Sequence, residues 1–351
     1  MPWGRNPMHS VKIVNADGSI GEMRRYDATG RDLHIDQPLS QILVNYRPPA
    51  MIADLIAPVV TVGKQSDLFF QFNQADLWRI PDTSRSPMRA AKRVDLNVSS
   101  QTYYCKNYAL ATGISIEDAV NADAMLDLRV NKGKFLVDLL MLDYENRVAS
   151  TVINTSNVGS MCVPTSVAGG SQGPWNDRIN ADPVLDIDNA IERMRTFSGY
   201  KPNKAVFGWK AWADFRRNAK VRALLFPSAG GVTPGAGLVR PEQLADVFGL
   251  DQVLIGGAMQ NTAAEGLSQS LSDMWGPHVL LYYAPERPSK EVPSFMYSFR
   301  WQAAGLPSAM VAEDLGYNRE LKGNLIEVDL YQDEKVVASN LATVIASATA
   351  S

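Results

Sequence analysis

Between Pro87 and Pro164 the chain holds no proline, although 20 prolines are spread over the rest of it. Proline removes a backbone donor and breaks helices, so a window this long without one has room for an extended helix. The segment Ser115–Asn154, SIEDAVNADAMLDLRVNKGKFLVDLLMLDYENRVASTVIN, lies inside it. Ser115 and Asp118 resemble a capping box, a hydroxyl followed three residues later by a carboxylate. Glu117, Asp118, Asp123 and Asp127 crowd the front, where the helix dipole favours negative charge. Phe135, Leu136, Leu139, Leu140, Leu142, Val148, Val152 and Ile153 recur at three- and four-residue steps, which predicts one broad buried stripe. Asp138, Asp143, Glu145, Asn146 and Arg147 then take the opposite, solvent face. At a rise of about 1.5 Å per residue the segment would reach ~60 Å. Gly133 is its weak point, costing ~1 kcal/mol relative to alanine in a helix interior. Asp123, itself a good cap, predicts a break near Asn121–Asp123, with a short helix over 115–122 and a long one over about 124–154. The same stretch would also serve as a core helix of an α/β enzyme.

Composition narrows the class. A chain of 351 residues is long enough for two or so compact units, and 46% apolar residues supply a real core. A formal charge of −3 excludes a dedicated nucleic-acid binder and leaves only local contact with DNA. Cys105 and Cys162 make no disulfide framework, and the start lacks the charged-then-apolar pattern of a signal peptide. No apolar run approaches the roughly 20 residues that cross a bilayer. These features predict a soluble protein made in a reducing cytoplasm.

Residues 1–50 are turn-rich and sparse in apolar side chains, which predicts an extended arm lying on a neighbouring subunit. Within it Leu39, Ile42, Leu43, Val44 and Tyr46 form one apolar patch. A short turn and a valine-rich strand follow over 51–63. Asp67–Asn73 reads as a strand, and Val94–Val98 alternates strictly and continues into Thr102–Leu110. The 19 residues between, ADLWRIPDTSRSPMRAAKR (75–93), are long for a connection inside a compact domain. Arg79, Arg85, Arg89, Lys92 and Arg93 against Asp76 and Asp82 leave this tip at +3. A long hairpin with a basic tip has too little core to bury itself, so it is expected to lie across a neighbour.

After the helix, residues 155–183 read as a flexible Ser/Gly/Pro connector. Residues 184–285 alternate helix and strand: helices over 187–197, 209–225 (Trp212, Phe215, Val221 and Leu224 inward) and 242–248, strands at 205–207, 253–255 and 278–283. Pro227–Gly237 reads as a mobile loop. From Ser294 the pattern is strand again, with 324–331 and 336–345 joined as a hairpin through Gln332–Lys335.

Chemistry is nearly absent. The three histidines are His9, His34 and His278, and no HExxH or paired Cys-x-x-Cys occurs. Gly169–Gly173 spells G-x-S-x-G around Ser171, but a hydrolase elbow needs a strand before and a helix after it. Asp186 and Asp188 at a helix start serve more simply as dipole partners than as metal ligands. No catalytic residue, metal site or cofactor site is predicted.

The order of parts, together with Ile52–Val60, Tyr103–Leu110, Leu139–Val148, Val206–Trp212, Pro241–Phe248 before Val253–Gly257, and Asp273–Gly276 before Val279–Tyr283, resembles the major capsid proteins of tailed phages. The resemblance spans nearly the whole chain. It implies an α+β, Hong Kong 97-type capsid fold with an N-arm (1–50), an E-loop hairpin (66–107), a P-domain (51–65 and 108–160, with the spine helix over about 124–154), an A-domain with its leading linker (161–285), and strands returning to the P-domain (286–351). It further implies a structural subunit, not an enzyme, that forms hexamers and pentamers of an icosahedral shell around double-stranded DNA. Arg79, Arg85, Arg89, Lys92 and Arg93 at the E-loop tip would contact the adjacent subunit. Expected partners are further copies of itself, a separate scaffolding protein, a portal and a decoration protein, with DNA contacted non-specifically and no membrane. The virion, assembled in the host cytoplasm, is its expected location. Two alternatives remain at this point: an encapsulin-like compartment shell, and an α+β hydrolase using Ser171.

Overall fold

The computed structural model describes residues 10–14, 20–24, 39, 43, 51–72, 78–95, 98–121, 128–164, 173–226, 237–290, 292–302 and 308–349. Strands β1 (Ser10–Val14) and β2 (Ile20–Arg24) form an antiparallel pair. A short helix α1 (Ala53–Ile56) leads into β3 (Val59–Val62). β4 (Ser66–Phe72) and β5 (Val98–Tyr104) make a two-stranded ribbon. The strand expected to run unbroken from Thr102 to Leu110 divides at Cys105, whose N–H bonds the Gln65 carbonyl at 2.9 Å. Beyond that point β6 (Lys106–Ser115) takes a different partner. α2 (Ile116–Asn121) and α3 (Leu128–Ile153) then follow, as the short and long helices predicted. The expected start of the long helix near Ala124 lies outside the described residues.

The connector is less loose than its composition implies. It contains α4 (Thr155–Val158) and β7 (Cys162–Pro164), and Trp175 is fully buried. The second unit follows with α5 (Pro183–Ser198), β8 (Lys204–Gly208), α6 (Trp209–Phe215), α7 (Ala219–Leu225), α8 (Pro241–Phe248), β9 (Gln252–Gly256), the pair β10 (Met259–Asn261) and β11 (Leu271–Asp273), and β12 (Val279–Tyr282). Asp182 caps α5 by accepting from Leu185 N, while Asp186 accepts from the buried Trp175 indole at 2.8 Å. Trp212, Phe215 and Val221 face inward as expected, but Leu224 is exposed. The loop expected over Pro227–Gly237 lies, except for Gly237, outside the described residues.

The C-terminal part corrects the sequence reading. β13 (Met296–Trp301) and β14 (Met310–Asn318) precede β15, which runs unbroken from Gly323 to Val336. Gln332–Lys335 is therefore not a turn. β15 passes from pairing with β14 and β6 to pairing with β13, and Gln332 is fully buried. The final strand β16 (Ala342–Ala346) leaves this sheet for the second one.

Two five-stranded sheets result. One has the order β14-β15-β13-β3, with β6 also on β15; the other runs β7-β16-β12-β8-β9. The second sheet is covered on both faces, with Val206, Leu280 and Val344 toward one core and Phe207, Leu281 and Ile345 toward another. Helix α3 spans the two sheets. Its Leu136, Val137 and Leu140 pack on Ile326 and Val328 of β15, and its Tyr144, Val148 and Val152 enter the core shared with Leu280 and Val344.

The buried stripe of α3 is rotated from the prediction. Phe135 and Leu139 are exposed, while Tyr144 and Glu145 are buried. Gly133 also has a role beyond weakness. A Cβ there would stand 3.0 Å from Leu43 Cδ1, so its absence lets Leu39 and Leu43 pack on the helix of their own chain. The rest of the apolar patch over 39–46, and most of the arm expected to lie on a neighbour, fall outside the described residues.

Candidate inter-subunit surface

The β4–β5 ribbon is apolar on both faces, and only one is covered. Strand alternation points Phe69 and Tyr103 inward, where both are buried. The Phe69 ring lies 5.3 Å from that of Phe299, and Tyr103 stacks on the same ring at 4.6 Å. Lys290 Nζ sits 5.0 Å from the Tyr103 ring centroid and 3.3 Å from its hydroxyl. Burial raises the Tyr103 phenol, and it pushes the neighbouring Cys105 thiol up to about 12. Cys105 Sγ donates to the Phe299 carbonyl at 3.3 Å, so this cysteine is a buried packing group and not a nucleophile. Tyr104 N donates to Asp333 on β15 at 2.9 Å, which ties the ribbon base to the body.

The outer face carries Leu68, Phe70 and Tyr104, all largely exposed, beside the small polar Ser66, Ser100 and Thr102. A two-stranded ribbon is marginal by itself, and an uncovered apolar face on one marks a site of contact. Sequence reasoning missed this face. Its signal was present in Leu68-Phe-Phe-Gln-Phe72, a run apolar at successive positions where a strand with one wet face would alternate.

Beyond the ribbon, residues 78–95 form neither helix nor strand. Arg79, Arg85, Arg89, Lys92 and Arg93 are all on this loop and all exposed. The structure brings Arg85 and Arg89 together, with Arg85 Nε donating to the Arg89 carbonyl at 2.6 Å around the turn closed by Arg89 N and Ser86 O. None of the five forms an ion pair with another described residue. Asp82 accepts from Ser84, which holds its carboxyl below the usual range. Met88 occupies the turn with a φ of 62° and is fully exposed, at a place that turns with positive φ usually give to glycine or asparagine. Ile80 is 94% exposed. An L side chain in the left-handed region costs roughly 1–2 kcal/mol. A bare methionine held there is therefore unfavourable on two counts for an isolated molecule.

The α3 surface behaves differently. Asp143 and Glu334 both pair with Arg147, whose guanidinium lies 3.8 Å from the Tyr108 ring centroid. Glu145 is buried: its carboxylate accepts from Ile52 N at 3.0 Å, Ala53 N at 2.7 Å and the Trp275 indole at 2.7 Å. One side chain thus caps α1 and pins the second unit to the long helix. Burial raises its carboxyl pKa against the pull of those donors. On the β14–β15 sheet Glu313 stands directly opposite Glu327, and burial followed by the neighbouring carboxylates raises both.

Among the described residues, no group of three or more His, Cys, Asp or Glu gathers as metal ligands, and no helix is long and apolar enough to cross a membrane. Ser171 lies outside the described residues.

No family model matches the chain. It is 26% identical over 255 residues to the major capsid protein of Pseudomonas phage JBD67, covering 71% of this chain and 77% of that one. A phage-related protein of Bordetella bronchiseptica RB50 superposes with a TM-score of 0.67 at 21% identity, over 90% of this chain and 98% of its own. The capsid protein of cyanophage P-SCSP1u gives a TM-score of 0.56 at 11% identity, over 86% and 89% of the two chains. The fold is thus the α+β, Hong Kong 97-type fold of phage capsid proteins that the sequence resemblance implies.

Proposed function

We propose that the chain is the major capsid protein of a tailed phage, a structural subunit that assembles through repeated copies of itself into an icosahedral shell. The observation that carries this reading is the β4–β5 ribbon with its loop: an exposed apolar face leading to five exposed cations with no ion-pair partner among the described residues, and an exposed methionine in a strained turn. Such a surface is complete only against another molecule, and closed symmetry supplies the same partner surface to every copy. Similarity to a phage major capsid protein along most of both chains supports the same conclusion.

In this reading the ribbon and loop are the E-loop, and Arg79, Arg85, Arg89, Lys92 and Arg93 contact the adjacent subunit within hexamers and pentamers. Helix α3 with its sheet is the P-domain, and the sheet holding β8, β9 and β12 is the A-domain. Residues 1–50 form the N-arm. A separate scaffolding protein, a portal and a decoration protein are the remaining partners, and the virion is the location after assembly in the host cytoplasm. A net charge of −3 suits a shell that encloses double-stranded DNA without gripping it, since phosphate contacts dominate DNA affinity. The role involves no catalytic step.

Electron microscopy with light scattering on the expressed protein, alone and with a candidate scaffold, tests this. Closed particles in the megadalton range are expected. A monomer at high concentration under both conditions would refute the shell reading.

A further inference from the structure

Among the described residues of the loop between β4 and β5, one side chain carries the polar and ring contacts with the body of its own chain. Every hydrogen bond, ion pair and ring contact described between residues 78–95 and the rest of the chain is made by Trp78. Its indole Nε1 donates to the Ser198 carbonyl at 3.1 Å. That carbonyl belongs to the last turn of α5, where helix geometry leaves acceptors without an intrahelical partner. The indole stands edge-on to Tyr200, with centroids 6.0 Å apart and planes at 75°, and Tyr200 in turn packs on Tyr283 at 5.3 Å.

Gly199 cuts the seat between these groups. It ends α5 with a φ of 75°, and a Cβ at this position would lie 2.5 Å from Trp78 Cε2. The absent side chain thus serves the helix end and makes room for the indole. The seat is shallow, because Trp78 remains 58% exposed. It fixes the ring through one donor, one edge and one glycine without burying it, which suits a contact that is made and given up. The residues it restrains are the exposed cations and Met88, the groups least satisfied in the single chain.

We propose that Trp78 is a latch. It holds the basic loop against the α5 terminus of its own chain in the free subunit, and its departure from the Ser198–Tyr200 seat frees the loop for a second copy. The second half rests on the shell reading given above; the first does not.

Limited trypsin digestion of the free subunit, below its assembly concentration, tests the first half, with cleavage at Arg79, Arg85 and Arg89 followed by mass spectrometry. Cleavage tracks the open population, so Trp78→Ala should be cut in the loop about fivefold faster than wild type, with other sites unchanged. Trp78→Phe, which keeps a ring but loses the donor, should fall between. Equal loop cleavage in all three proteins overturns the latch.

Light scattering tests the second half. Trp78→Ala should begin to assemble at lower subunit concentration than wild type and give shells of the same size. A variant with a loosened loop that assembles more slowly, or not at all, makes Trp78 a positioning contact and overturns the release step. If no protein forms shells, wild type included, the shell reading fails and the release step with it, while the digestion result still decides the latch.

Discussion

The long helix and the ribbon loop treat their polar groups in opposite ways. On α3 the buried Glu145 carboxylate is met by three donors from two other parts of the chain, and Arg147 is met by two carboxylates and a tyrosine ring. On the loop over residues 78–95, five cations have no ion-pair partner among the described residues and Met88 is fully exposed. Glu145 and Arg147 thus find their partners within one chain. The loop region leaves its cations and Met88 exposed, and it is the surface proposed to meet a second copy.

Substitutions that break this comparison should rank by their effect on the unassembled subunit. Glu145→Ala should have the largest effect. It strands three buried donors at about 1–3 kcal/mol each, so urea unfolding should show a loss of about 4 kcal/mol or more. Glu145→Gln sharpens the point through pH. Because burial raises the folded-state carboxyl above its ordinary 4.5, the native state binds the proton more tightly than the unfolded chain. Wild-type stability relative to the glutamine variant should therefore fall as pH rises from 4.5 through the raised value; a gap that widens in wild type's favour over that window would contradict this.

Gly133→Pro should come next. It removes a helix hydrogen bond and fills the space taken by Leu43, with an expected loss of about 3 kcal/mol and reduced helicity by circular dichroism. Glu327→Gln should act in the other direction, raising stability by about 0.5 kcal/mol at neutral pH by removing a part-buried charge that Asp329 and the opposed Glu313 repel. Both glutamate carboxyls titrate above their usual range, so that gain should fade as pH falls and wild type protonates. A gain that persists in acid would show that the opposed charges are not its source. Arg85→Glu with Arg89→Glu should leave subunit stability within about 0.5 kcal/mol, as expected for exposed side chains with no ion-pair partner among the described residues.

How much of this was legible in the sequence depended on the range of the interactions. The helix pair before and after Asn121, the ribbon and its basic tip rest on local signals: a proline-free window, capping residues, alternation and a run of arginines. The misread features depend on distant partners. Glu145 looks like a surface residue until Ile52, 93 positions away, and Trp275, 130 positions away, close on it. Phe135 and Leu139 have the right periodicity for a core, but the sheet lies against the neighbouring face through Leu136, Val137 and Leu140. Gln332–Lys335 has turn-like composition, yet β13 pairs along all of it, β6 reaches Gln332, and Gln332 is buried. β7 is three residues long and exists only because β16 returns beside it. Of the candidate surface, the cations are legible by charge, while Leu68 and Phe70 need the ribbon's two faces to be told apart and Met88 needs the backbone of its turn.

The loop is proposed to be completed by another copy of the chain. Sedimentation velocity of wild type beside the Arg85→Glu, Arg89→Glu double variant, with the same scaffold and salt, tests it most directly. Closed megadalton particles are expected from wild type and a folded, unassembled subunit from the variant. Normal particles from the charge-reversed protein would contradict it.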